Sequence, residues 1–441
     1  MQRFVSTAVL VLVLGGLVGY IYFGGSKTPD GGADAKDKAF AAVKSDDIEE
    51  IQVKASGDTT RLKKANGTWK IVDPVEADAD AGEASSLTSS LSSLDVQRVV
   101  DESATDLKGY GLDPARLDVS FKVKGQPAEH RILLGEKTAT GNDLYAKLPE
   151  SPRVFLVASF LDATFNKTTF ALRDKAVLKV DRQKADGLEV IAGATQLAFA
   201  KSGENWTIVK PLAARADYAA VEGAIERLSS AQMQGLAVNQ QASAKEYGLD
   251  APSATMTIKS GSSSATLTLG KTENGVVYAK DASRPMIFTV APTLRSDIAK
   301  DIGEFRRKDL FDFRSFTAAH VELTRGSGTQ VFDRSKDKDG KDIWKDGAGK
   351  TVDVMKVEDL LTKVSGLRAA SFEPAVHASL KSPVLTVVAT FDRAGQDKGT
   401  ETVIFGRAGA DVFAGRADEP GAAKLDAAPL DEALKALDAL K

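Results

Sequence analysis

Residues 110–114 read Tyr-Gly-Leu-Asp-Pro, and residues 247–252 read Tyr-Gly-Leu-Asp-Ala-Pro. Other elements recur around this string, in the same order. Trp69, Trp206 and Trp344 are the three tryptophans of the chain, and they stand 137 and 138 residues apart. Each lies in a strand, polar turn, strand pattern: RLKKANGTWKIV, AFAKSGENWTIV and VFDRSKDKDGKDIWK. Asn66-Gly67 in the first is a hairpin signal, since both residues accept positive φ. The third copy keeps only Leu380 and Pro383 of the tyrosine string, in ASLKSP. The chain therefore reads as three copies of one unit, two close and one diverged.

Within each copy the period of the apolar residues changes in a fixed order. After the hairpin, Leu87, Leu91 and Leu94 recur at helical spacing, as do Val221, Ile225 and Leu228, and then Val354, Val357, Leu361 and Val364. Asp217 and Asp353 stand where an N-cap or first-turn acid belongs. After the tyrosine string the pattern turns to alternation, in LDVSFKV with HRILLG, ATMTIKS with ATLTLG, and LTVVATF with ETVIFG. The second run of each pair ends at Gly135, Gly270 and Gly406. A further strand follows at Leu144-Tyr145-Ala146, Val277-Tyr278-Ala279 and Val412-Phe413-Ala414, and helices near 158–166, 292–302 and 429–440 close the copies. The expected fold is α+β, with three tandem domains of mainly antiparallel sheet and two main helices each, at residues 48–180, 181–314 and 315–441. A period this long far exceeds that of thin stacked repeats, so each copy is expected to have its own core.

The N-terminus has a different character. Phe4 to Phe23 carries no charge, and as a helix it would extend about 30 Å, the thickness of a bilayer's hydrocarbon core. The expectation is a three-residue cytoplasmic head, a transmembrane helix at 4–23 and a Gly- and Asp-rich tether at 24–47. The bulk of the chain is then extracytoplasmic. A cleaved signal peptide is the alternative, but YIYFGG is a poor cleavage site.

Composition narrows the chemistry. The chain has 58 basic and 61 acidic residues, well mixed, and a net charge of −3. Without a basic block, nucleic acid is not an expected partner. There are no cysteines, which excludes disulfides and thiolate catalysis. The three histidines, His130, His320 and His377, form no metal-binding pair. No nucleophile elbow, Walker loop or dinucleotide fingerprint follows a strand. Residues 335–340, SKDKDG, alternate acids before a glycine as a calcium loop does. Serine at the first position and interleaved lysines favour an enlarged hairpin loop instead. No catalytic residue, metal or cofactor is expected.

Two sets of residues remain as candidates for partner contact. Tyr110, Gly111, Asp113, Pro114, Tyr247, Gly248, Asp250 and Pro252 form the tyrosine string. Its recurrence favours a packing role, with glycine at positive φ. The linkers ALRDKAVLKVD and EFRRKDLFDF carry Arg173, Lys175, Arg306 and Lys308. These charges either fix the angle between domains or dock a partner, and the first reading is favoured.

The apolar N-terminus, the YGLD-P element, the strand pair ending in Leu-Gly, the Tyr-Ala strand and the LRDK linker at Leu172–Lys175 resemble a bacterial family, domain of unknown function 4340. Its members look like single-pass envelope proteins, often encoded beside an ABC transporter of the gliding-motility type. The resemblance implies a non-enzymatic accessory or scaffold at the bacterial inner membrane, in contact with an ABC permease and its auxiliary subunit. It implies no catalytic residues. The alternative is a multivalent binding module for an envelope glycan or peptidoglycan, which requires exposed aromatic platforms at matching positions, the tryptophans first. An enzyme of unrecognised type is the third class and requires a polar cleft in one copy.

Overall fold

A computed structural model describes residues 37–238, 243–393 and 397–440. In the first repeat the hairpin strands are β1 (Ile48–Ala55), β2 (Asp58–Ala65) and β3 (Thr68–Asp73), followed by the short β4 (Ala77–Asp78). Helix α1 (Ala81–Ser92) and β5 (Arg98–Asp101) come next. The second half is β6 (Leu117–Val123), β7 (Glu129–Lys137), β8 (Asp143–Lys147), β9 (Val154–Ala158) and α2 (Phe160–Phe165). The nine strands form one sheet in the order β4-β3-β2-β1-β6-β7-β8-β9-β5, with antiparallel neighbours throughout. Two meanders thus meet at the central pair β1–β6, and each ends in a helix.

Two more nine-stranded sheets repeat this order, from Gly187 to Val290 and from Ala318 to Leu425. All three lie inside the segments expected from the sequence. Alternation explains how each sheet finds its register. In β6, Leu117, Val119, Phe121 and Val123 are all buried, so a one-residue slip would turn four apolar side chains to the other face. Asn66 and Gly67 take φ of 52° and 80°, the left-handed geometry that a two-residue hairpin needs.

The main helices begin at the aspartates. The Asp80 side chain accepts from Glu83 N–H, Asp217 from Ala220 N–H, and Asp353 from Met355 and Lys356 N–H. Each helix buries its apolar stripe on the sheet: Leu87 and Leu91, then Val221, Ile225 and Leu228, then Val357, Leu361 and Val364.

The α+β expectation is corrected by these sheets. Each repeat is mainly β, with nine strands against one helix of 12 residues and a shorter or equal closing helix. The sequence reading missed strands such as β4 and β5, whose two and four residues are too short to show a period. The transmembrane expectation at 4–23 falls outside the described residues. Among the described residues, no helix is long and apolar enough to cross a membrane.

The chain divides into two compact units, Met1–Asp174 and Lys175–Lys441. The first sheet is a unit by itself, whereas the second and third share one. The junction between copies two and three shows what links the sheets of the second unit.

Candidate interaction site

That junction is the linker after the second closing helix. Asp217 N–H donates to Phe305 C=O at 2.7 Å, and Arg307 N–H donates to Arg215 C=O at 3.0 Å. This antiparallel bridge binds the linker to the second repeat. Phe305 then packs its ring 4.9 Å from Phe199 in that repeat's sheet. Three residues further on, the linker pairs with the third repeat. Leu310 N–H donates to Leu367 C=O at 3.1 Å, and Ala369 N–H to Lys308 C=O at 2.8 Å. Leu310, Phe311 and Phe313 belong to the third repeat's core. One extended segment is therefore built into both folds.

An ion network locks the segment. Arg306 donates from Nη2 to Glu419 Oε2 at 2.9 Å, and Arg215 from Nε to Glu419 Oε1 at 2.6 Å. The Arg306 and Glu419 side chains are 5% and 7% exposed. The Arg306 guanidinium also lies 4.0 Å over the Phe372 ring, a cation–π contact. Asp312 receives Arg215 Nη1 at 2.8 Å and Arg307 Nη1 at 2.6 Å. Glu401 accepts the backbone N–H of Asp312 and Phe313 and is paired with Arg416 at 2.8 Å. Burial opposes the charge of Arg416, but hydrogen bonds to Asp418 and Glu401 outweigh it and raise its pKa further above the ordinary arginine value. Buried charges of this kind persist only where each has an opposite partner, and here each of these side chains has one.

Glu419 lies in the turn between the Phe413 strand and the strand after it, just before Pro420. The same turn in the second repeat places Arg284 before Pro285. Arg284 Nη2 donates to the linker carbonyls of Ala176, at 2.8 Å, and Val177, and its Nε pairs with Asp281 at 2.8 Å. In both repeats this turn grips the linker ahead of its own sheet, with the charge reversed. Sequence reasoning missed Arg215, Glu419, Asp312 and Arg284. The recurring proline of this turn, at Pro152, Pro285 and Pro420, was the available signal.

The linker residues predicted from sequence occupy matching places. Arg173 is buried and bridges Ala79, and Asp80 N–H donates to Leu172 C=O at 2.9 Å. Lys175 and Lys308 each use the backbone carbonyl to hold the next repeat, through Met233 and Ala369.

The tyrosine string is a separate device. Lys108–Tyr110 and Ala244–Tyr247 form short 3-10 turns that stop at Gly111 and Gly248, with φ of 67° and 68°. The backbone there presses on the strand that ends in Leu-Gly. A Cβ on Gly135 would sit 2.0 Å from Tyr110 O, and one on Gly270 would sit 2.1 Å from Tyr247 O. The two signatures recur together because they are two sides of one contact. The Tyr110 ring lies 4.9 Å from Tyr145, tilted by 57°, and the Tyr247 ring meets Tyr278 edge-on at 5.0 Å. In the third repeat His377 lies 3.7 Å from Phe413 at an interplanar angle of 7° and takes the same place. Asp113, Pro114, Asp250 and Pro252 are exposed beside these turns. The string and the arginine linkers are thus not brought together into one cleft.

Trp206 and Trp344 are fully buried and Trp69 is half-buried against the first core, so the first two offer no surface platform. Trp206 Nε1 donates to Glu222 at 3.0 Å. Burial alone would raise the Glu222 carboxyl, but Lys201 and Trp206 hold it below the ordinary glutamate range. In the loop at 335–340, Asp337 Oδ1 accepts the backbone N–H of Asp339 and Lys341 at 2.9 and 2.8 Å, which closes the hairpin. Among the described residues, no group of three or more acidic or histidine side chains is placed to hold a metal ion.

Comparison with known proteins gives a family and little else. No curated protein matches the chain. Two solved structures, both from Pseudomonas aeruginosa, align with it over most of their length. One is a DNA polymerase sliding clamp with ligand, at 7% identity, covering 89% of this chain and 94% of that one with a TM-score of 0.15. The other is the DNA polymerase III subunit beta, at 9% identity, covering 88% and 93% with a TM-score of 0.16. Superpositions this poor bear on neither fold nor function. The family described as "Domain of unknown function (DUF4340)" matches residues 69–207 and 206–383. The first match runs from Trp69 to just past Trp206 and the second from Trp206 to Pro383, so each includes the linker after one repeat. With most of the chain matched in tandem, the protein belongs to the DUF4340 family.

Proposed function

We propose that this protein is a non-enzymatic scaffold of the bacterial cell envelope, an accessory that holds partner proteins of a gliding-type ABC transport system. One observation carries the scaffold part. The residues that recur between copies are used to build and join the sheets: the Tyr-Gly turn packs on the Leu-Gly strand, and the linker arginines are buried. Repetition here maintains an array of similar surfaces, which is what a multivalent holder requires. Several weak contacts on one chain raise the effective concentration of each partner group at the others. The extracytoplasmic location and the transporter partner are supported by family resemblance alone.

The test is crosslinking of the full-length protein in its own cells, followed by affinity purification and mass spectrometry. Co-purification of an ABC permease with its auxiliary subunit supports the reading. Retention on cell-wall polymer with no transporter subunit overturns it.

A further inference from the structure

The linker that leaves the first and second sheets fills a place on each of them, and the third sheet has the same place. In the first repeat Leu172 is buried in the core beside α1, Asp80 N–H donates to its carbonyl, and Asp174 N–H donates to Asp78 C=O at 2.9 Å. In the second, Phe305 does the same against Phe199, through Asp217 and Arg215. Strand register carries the position into the third repeat. Leu188 pairs with Phe199, and Val321 pairs with Phe332, so Phe332 is the counterpart of Phe199. Likewise Thr351, Val352 and Asp353 are the counterparts of Arg215, Ala216 and Asp217: Val352 pairs with Trp344 and Thr351 with Lys345, as Ala216 N–H donates to Trp206 C=O and Arg215 pairs with Thr207.

Among the described residues, no segment adds to the edge at Thr351–Val352 and no backbone carbonyl accepts from Asp353 N–H. The closing helix Ala427–Asp438 runs on instead, and Leu437 C=O accepts from Gln330 at 3.4 Å. Beside it lies a groove of about 550 Å³, with Leu323, Phe332, Val352, Leu437 and Leu440 in its lining together with the polar Arg325, Gln330 and Asp346. This is an apolar slot next to an unpaired sheet edge, the arrangement that accepts an added strand.

We infer that this groove binds an extended segment of a partner protein in which a large apolar residue is followed by a basic one, the Leu-Arg and Phe-Arg chemistry of the chain's own linkers. The apolar side chain enters beside Phe332. The partner's backbone accepts from Asp353 N–H and donates to Thr351 C=O, as the linkers do on the other two sheets. The basic residue is attracted by the negative charge of Asp346 and Asp353 on this edge, whose Oδ1 atoms already accept the backbone N–H groups of Ala348 and Lys350 and of Met355 and Lys356. The inference stands whether or not the partner belongs to a transporter.

The test uses a fluorescein-labelled peptide with the sequence of Gly303–Asp309, titrated by anisotropy with the full-length protein. The expected result is saturable binding at one site per chain. Replacing the peptide's phenylalanine by aspartate, or Val352→Lys in the protein, is expected to weaken it at least tenfold. Thermal melting of the Val352→Lys variant checks that it is folded, and the altered peptide gives the same test without touching the protein. No saturation at millimolar protein overturns the inference, as does equal binding of both peptides. Concentration-dependent dimers in sedimentation that Val352→Lys abolishes would assign the groove to a second copy and also overturn it.

Discussion

Replacing Glu419 by alanine removes the shared acceptor of two arginines at the junction of the second and third repeats. Arg306 is 5% exposed and keeps Pro420 C=O at 3.3 Å. Arg215, 16% exposed, keeps Asp312 and the Asp309 carbonyl. Breaking a buried pair by deleting one partner costs about 3–5 kcal/mol, because the other charge stays buried. Arg215 retains other partners, so the lower half of that range is the expectation, about 3 kcal/mol. For a unit of this size that corresponds to a Tm fall on the order of 10 °C. The assay is urea denaturation of the full-length protein followed by tryptophan fluorescence, with Trp206 and Trp344 reporting on the two sheets. Glu419→Ala is expected to split a shared transition into two. The cycle with Arg306→Ala is expected to show a coupling above about 1 kcal/mol, since the two side chains are in direct contact. A loss below about 0.5 kcal/mol with a single transition would refute the reasoning and reduce the network to an ordinary surface pair.

Other expectations follow from individual contacts. Gly135→Ala forces a Cβ into Tyr110 O and is expected to cost about 3 kcal/mol, whereas the same change at Gly125, with open space but φ of 74°, is expected to cost about 1 kcal/mol; thermal melts distinguish them. Asp353→Ala removes an N-cap that serves two backbone donors and is expected to cost about 1 kcal/mol. His320 is hydrogen-bonded to Asp333 at 2.7 Å and Glu322 at 3.0 Å, and these carboxylates raise its pKa above the ordinary histidine value. Its charged form therefore adds stability that is present below about pH 6.5 and lost as pH rises through the higher folded value. His320→Gln is expected to flatten that part of the stability–pH curve and to leave stability at pH 9 unchanged.

Most of the array was legible in the sequence, because its signals are local. The tryptophan hairpins, the helical stripes around Leu87, Val221 and Val357, and the alternation of Leu117 to Val123 each follow from one backbone period. Asp217 and Asp353 were readable as N-caps from their place before the apolar stripes, whereas Asp80 was not singled out. The balance of sheet and helix was not, since β4 and β5 are too short to show a period, and β5 gains its hydrogen bonds from the distant β9. Pairings such as Val99 with Phe155 join residues whose separation no local pattern encodes. The role of the linkers was half legible. Arg173 and Arg306 stood out as repeated charges, but their burial depends on turns far along the chain. Glu419 lies 113 residues from Arg306, and its charge is reversed in the equivalent Arg284, so a search for repeated residue types passes over it.

The account's central claim is that one linker is built into two sheets, so that residues 175–441 behave as one cooperative unit while the first sheet is another. Native-state hydrogen exchange by mass spectrometry across a denaturant series measures this directly. The account predicts that peptides from the sheet at Gly187–Val290 and from the sheet at Ala318–Leu425 lose protection at one shared midpoint, distinct from that of the sheet at Ile48–Ala158. Separate midpoints for the second and third sheets in the unaltered protein would contradict it.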